Sequence, residues 1–225
     1  LNLTRQEASQ RAETVTKVHS YRVDLDLTAS DTSFPSTTTV EFDAEPGTST
    51  FVDAVTERVH SVTLNGKELD PSEVSDGVRI SLPDLESSNT LTVVADAAYT
   101  NTGEGLHRFV DPVDGEVYLY SQFEVPDSRR VFAVFEQPDL KAEFTFTVRA
   151  PKTWNVISNQ PVDVRDEESD SDVWHFGTTP RISSYITALV AGPYAKVSDS
   201  LTTSDGRNVS CLLYTSDAAD DSLRV

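Results

Sequence analysis

Residues 21–27 read YRVDLDL. Tyr21, Val23, Leu25 and Leu27 are apolar, and Arg22, Asp24 and Asp26 between them are charged. A period of two puts the apolar set on one face of an extended chain and the charges on the other, the pattern of a strand buried on one side. Upstream the pattern is helical. Thr4-Arg5-Gln6-Glu7 matches a capping box and the residues up to about Lys17 are good helix formers, so one short N-terminal helix is expected. Downstream, strands are expected at residues 37–42, 50–55, 59–64, 78–82 and 90–97, separated by turn residues such as Glu45-Pro46-Gly47, Asp76-Gly77 and Ser87-Ser88-Asn89. Asn65-Gly66, between Val62-Thr63-Leu64 and a polar strand, is the sharpest hairpin signal. Further strands are expected at residues 117–122, 143–149, 155–158, 173–177, 184–191 and 194–198, with a single turn at 127–131 as the one later helical signal. Residues 163–172, DVRDEESDSD, read as a solvated acidic hairpin tip. Many short strands with regular turn signals predict an all-β fold: sandwich- or saddle-like mixed antiparallel sheets with one short N-terminal helix.

Composition narrows the function classes. The 225 residues, 37% hydrophobic and 24% charged, suffice for one large or two small domains, and no apolar run is long enough to cross a bilayer. Against 18 Lys and Arg stand 37 Asp and Glu, a net charge of −19 that argues against nucleic-acid binding, which needs clustered cations. The charge suits solubility and attraction for a cation such as a peptide's N-terminal amine, although a general acidic bias explains it more simply. The opening LNLTRQEASQ has no apolar signal core, and the single cysteine, Cys211, excludes an internal disulfide; both lead to an expected cytoplasmic location. Methionine is absent, so a chain cut at its start is expected.

None of the four histidines, His19, His60, His107 and His175, lies in H-E-x-x-H, and no pair has the i, i+4 spacing that sets two imidazoles on one helix face. No metal site is expected within these residues. G-x-S-x-G, phosphate-binding and G-x-G-x-x-G motifs are absent, and Gly103-Glu104-Gly105 reads as a turn. Residues 118–144, YLYSQFEVPDSRRVFAVFEQPDLKAEF, set an acid, an amide, an arginine pair and a second acidic turn in one aromatic-rich passage, a mixture that core packing does not require. Glu124 in it is chemically suited to pair with an α-ammonium through a charge-assisted hydrogen bond. Most glutamates are solvated surface groups, and the residues alone leave both readings open.

The same passage closely resembles the [ST]-Q-F-E … A-R-R-x-F-x-x-F-[DE]-[EQ]-P-[DA]-x-K-A signature of the aminopeptidase N family of zinc aminopeptidases. Gly105-Leu106-His107-Arg108-Phe109-Val110-Asp111-Pro112 resembles a G-L-H-R-F-x-D-P loop of its actinobacterial members, and Thr179-Pro180-Arg181-Ile182-Ser183-Ser184-Tyr185 a T-P-x-[MI]-S-[ST]-Y stretch near the end of the same domain. The matches run in order from Leu3 to about Asn208.

The resemblance implies an N-terminal β domain ahead of a catalytic domain, in an enzyme that removes N-terminal residues from peptides. Glu124 falls on the glutamate that joins acids of the catalytic domain in binding the substrate's free amine, and Gln122 on a residue lining the pocket for the first side chain. Ser121 replaces the commoner threonine and keeps the hydroxyl. Arg129 and Arg130 are expected to pair with acids of the F-E-Q-P-D turn, Glu136 and Asp139 being nearest, and to hold the substrate loop in place. Pro138 forces that turn. Ala133-Val134 stand where Pro-Cys is common, a small apolar replacement. Family catalysis needs Zn2+ bound by H-E-x-x-H and a later glutamate, and G-x-M-E-N for the amine; none occurs here. The zinc is therefore expected in a catalytic domain outside these residues, and the chain alone is expected to be inactive. Its partners would be the peptide substrate's N-terminus and its own catalytic domain, with no nucleic acid and no membrane. A non-enzymatic β-sandwich binding module is the alternative.

Residues 211–225 break the pattern. CLLYTSDAAD closely resembles the translation of a transposase-based sequencing adapter over ten consecutive residues. The expected organisation is thus a β domain over residues 1–210 and a non-native read-through tail over 211–225, with Cys211 outside the native protein.

Overall fold

The computed structural model describes residues 2–215. Helix α1 (Arg5–Thr14) carries the capping box: Thr4 Oγ1 accepts from the Glu7 amide at 3.2 Å, and the Glu7 carboxylate accepts from the Thr4 amide at 2.8 Å. It stops short of Lys17 because Val15 and Val18 already serve as buried strand positions. Strands β1 (Val15–Asp26), β2 (Ser33–Ala44), β3 (Thr50–Asp53), β4 (Arg58–Leu64) and β5 (Lys67–Leu69) follow, then a short helix α2 (Pro71–Val74). After it come β6 (Arg79–Leu82), β7 (Ser88–Ala98), β8 (Gly105–Val110), β9 (Val117–Gln122), β10 (Glu143–Pro151) and β11 (Asn155–Ser158). The remaining strands are β12 (Val162–Glu167), β13 (Ser171–Phe176), β14 (Leu189–Gly192), β15 (Ala195–Thr202) and β16 (Asn208–Thr215).

An eight-stranded sheet runs in the order β12-β13-β10-β1-β2-β7-β4-β5, and a four-stranded sheet in the order β11-β14-β9-β8; β3-β6 and β15-β16 form two-stranded pairs. Every pairing between these strands is antiparallel except β1 with β10, so the all-β, mixed-sheet expectation holds. The alternation at 21–27 behaves as read: Tyr21, Val23, Leu25 and Leu27 are buried, and across β1 the phenylalanines of β10 join them, Tyr21 pairing with Phe144 and stacking on it at 4.7 Å. Asn65 and Gly66, at φ +52° and +79°, make the β4–β5 hairpin.

Three expectations are corrected. Residues 105–110 form strand β8 rather than a loop, because Gly105 to Val110 pair with Gln122 to Val117. Residues 162–167 form edge strand β12, so the acidic tip is confined to the few residues before β13. Residues 184–186 form a 3-10 turn instead of beginning a strand: Ser184 Oγ donates to Glu136, and Thr187 Oγ1, just past the turn, donates back to Ser184 O. β16 continues past Ser210 in register with β15, from Asn208 opposite Thr202 to Thr215 opposite Ala195. Residues 216–225, on which the rest of the expected tail falls, lie outside the described residues.

Candidate functional site

β9 delivers the site. Its inward residue Leu119 is buried and Ser121 Oγ accepts from the Leu189 amide at 2.8 Å, pinning the strand to β14. At its end Gln122 is exposed, Phe123 is buried, and Glu124 is exposed at the start of a turn that contains the cis Val125–Pro126 peptide. Phe123 is the anchor, its ring meeting Phe132 edge-on at 6.0 Å. Gln122 Oε1 accepts from the Glu124 amide at 2.6 Å, so the two candidate substrate residues stand together. The Glu124 carboxylate makes no salt bridge among the described residues.

The turn is held from behind. The chain continues through the Asp127 amide, which bonds Phe123 O at 3.3 Å, into the 3-10 turn Ser128–Arg130. Glu136, 5% exposed, accepts from the Arg129 amide at 2.8 Å, from Ser184 Oγ at 2.7 Å and from Ser128 Oγ. Burial pushes the Glu136 carboxyl above its ordinary value, and the three donors pull it back down. One carboxylate thereby ties together the turn after Glu124 and the 3-10 turn Ser184–Ile186.

The arginine pair is in place, but its partners differ from those expected. Arg129 meets Glu136 through its main-chain amide, while its guanidinium donates to Asn2 Oδ1 at 3.2 Å. Arg130 bonds Asp127 at 2.7 Å and Glu104 at 2.9 Å, not Glu136 or Asp139. Its stem lies against Gly105: a Cβ there would sit 2.9 Å from Arg130 Cβ, at φ +62°. The Gly103–Gly105 turn is thus the seat of Arg130. Asp139 is exposed and, among the described residues, its carboxylate reaches only Gln137, at 3.4 Å, and exposed Pro138 lends its carbonyl to Ser183 Oγ.

Several supports were not expected from the sequence. Glu136 N donates to Asp53 Oδ2 at 3.3 Å, and Asp53 pairs at 2.9 Å with Arg11 of α1; both are 1% exposed. The Arg11 guanidinium also lies 4.2 Å from the Phe51 ring centroid. Gln137 Nε2 donates to Ala8 O at 3.2 Å, a second tie to the helix. Asp53 was detectable as a lone acid in an apolar strand; Arg11 looks like any helix-surface arginine.

Among the described residues, no group of three or more His, Cys, Asp or Glu could hold a metal ion. His19, His60 and His175 instead bond single aspartates on neighbouring strands, Asp43, Asp96 and Asp166. No helix among the described residues is long and apolar enough to cross a membrane.

Comparison with known proteins gives a consistent match. Residues 17–186 match the peptidase M1 N-terminal domain. Aminopeptidase N of Streptomyces lividans is 58% identical over 217 residues, covering 95% of this chain and 25% of that protein. Leucyl aminopeptidase of Saccharolobus solfataricus is 30% identical over 184 residues, 81% of this chain and 23% of that protein. Aminopeptidase N of Acetobacter pasteurianus is 31% identical over 160 residues, 60% of this chain. The chain spans 25% and 23% of the first two relatives' lengths.

Proposed function

The chain belongs to the peptidase M1 N-terminal domain family, and from that premise we propose that it is the substrate-amine-binding domain of a longer zinc aminopeptidase. The observation that carries this reading is the pairing of exposed Gln122 and Glu124 on a turn whose back is fixed by buried Glu136. A carboxylate free of an internal cation is disposed to accept the ammonium of a peptide N-terminus, and burial of the site by further protein would strengthen that bond. Gln122 would border the first side chain. Among the described residues no group of three or more His, Cys, Asp or Glu could hold a metal ion, and the zinc would belong to a part of the longer protein that this chain does not span. The chain's own part is to bind and orient: it places a negative charge where a free amine, but not an internal peptide nitrogen, gains by coming. We place the protein in the cytoplasm, in keeping with a sequence that has no second cysteine to form a disulfide.

The test uses the full-length protein with aminoacyl p-nitroanilides and their N-acetylated counterparts. Hydrolysis of the free-amine substrates alone is expected, and Glu124→Gln should raise KM by about 10- to 100-fold, the worth of one hydrogen bond to a charged group. An unchanged KM, or equal cleavage of acetylated substrates, sinks the proposal. The 225-residue chain by itself is expected to hydrolyse none of them.

A further inference from the structure

Beside Gln122 lies an aromatic surface that neither the core nor amine binding uses. The four-stranded sheet turns Leu106, Leu119, Val156, Leu189 and Ala191 inward. Alternation along β8 and β9 then sets His107, Tyr120 and Gln122 on the opposite face. Tyr120 is 40% exposed, and the His107 ring stacks on it at 4.7 Å and 29°. The Gly103 amide donates to His107 Nδ1 at 3.0 Å, which holds the imidazole in that orientation. Val190 of β14, paired directly with Tyr120, flanks it on the other side. Tyr120 lies one same-face repeat before Gln122, about 6.6 Å away, a spacing that an aromatic side chain bridges.

We propose that the Tyr120–His107 pair is the wall of the first-side-chain pocket beyond Gln122, and that it favours peptides beginning with a large apolar residue, aromatic residues above all. This rests on the amine being held at Glu124. With the ammonium there, the first side chain can run along the sheet face past Gln122 onto the Tyr120 ring. A basic first side chain fits less well. The neighbouring acids Glu104 and Asp127 are already engaged by Arg130 at 2.9 and 2.7 Å, and Glu124 is taken by the amine.

The experiment measures kcat/KM of the full-length protein on p-nitroanilides of Phe, Leu, Ala and Arg, with thermal midpoints recorded for each variant. Tyr120→Ala is expected to lower the Phe-to-Ala ratio by about three- to tenfold, the value of one aromatic contact, with Tyr120→Phe restoring it and His107→Ala falling between. A ratio taken within one variant is insensitive to partial loss of folded protein; Tyr120→Leu, which keeps bulk without a ring, serves if the alanine variant does not fold. Equal losses on all four substrates, no change, or a loss confined to Arg overturns the inference while the proposed function stands. A wild-type protein inert on the whole panel fails the proposed function, and this inference with it.

Discussion

Glu124 is available to a ligand because the residues around it are not: Phe123 and Ser128 are buried, and Glu136 holds the turn's far end. Side chains so placed make exposure a fixed property of one carboxylate. Gly105 shows the same dependence from the other direction. At φ +62° and with Arg130 Cβ 2.9 Å from where its own Cβ would lie, it admits no side chain. Gly105→Ala is expected to cost about 1–3 kcal/mol, lowering the thermal midpoint by several degrees, whereas Gly115→Ala, strained at φ +75° but with nothing within 4 Å, should cost less. Glu136 sets a pH dependence. Its folded value lies above the ordinary 4.5, so the folded state binds the proton more tightly, and stability is lost as pH rises from about 4.5 through the folded value. Urea midpoints taken upward from pH 4.5 should therefore fall for the wild type relative to Glu136→Gln; a wild type that gains on the variant would refute this.

At the scale of elements, α1 is attached by charge more than by apolar packing. Its one buried residue is Arg11, closed onto Asp53 of β3, and Glu7 reaches Arg79 of β6 at 2.6 Å. Asp53 also receives the Glu136 amide, so the helix and the residue that fixes the turn after Glu124 share one buried acid. Asp53→Ala leaves the Arg11 guanidinium buried without its counter-ion and is expected to destabilise by about 3–5 kcal/mol in thermal melts, while Arg11→Met with Asp53→Leu should recover much of that loss. Glu7 works in the acid range with the opposite sign to Glu136. Its bond to Arg79 and the cap at Thr4 lower it from 4.5 to about 2, so its contribution is present above pH 4.5 and lost as pH falls toward 2. Glu7→Gln should flatten the acid limb of the stability profile over that window. The helix itself was legible from Thr4-Arg5-Gln6-Glu7, since a capping box is a local device. The Arg11–Asp53 pair was not, because it joins residues far apart in sequence.

For the whole molecule, the core ends before the last hairpin. Among the described residues the buried apolar cluster extends no further along the chain than Ala191, and Val197, Leu201, Val209 and Leu213 on β15 and β16 are exposed. Truncation after Tyr194 is accordingly expected to leave a single cooperative transition with a midpoint within a few degrees of the intact chain. A collapse of that transition would show the hairpin to be part of the fold. We propose from the sequence alone that residues 211–225 are a non-native tail; sequencing the native gene beyond Ser210 tests it directly.

The sequence by itself determined the strand periodicities, the capping box, the Asn65-Gly66 hairpin and the family, through a motif in which Gln122 and Glu124 hold fixed places. These are local patterns, set by side-chain period and turn chemistry over a few residues. The tertiary structure alone decided which partners those motif residues take. Arg130 closes on Asp127 and Glu104 rather than Asp139, Glu136 gathers Ser128 and Ser184, and Gly105 yields its place to Arg130. It also decided that His107 stacks on Tyr120. Such choices belong to strand register and chain crossings, which bring together residues that no short stretch of sequence contains.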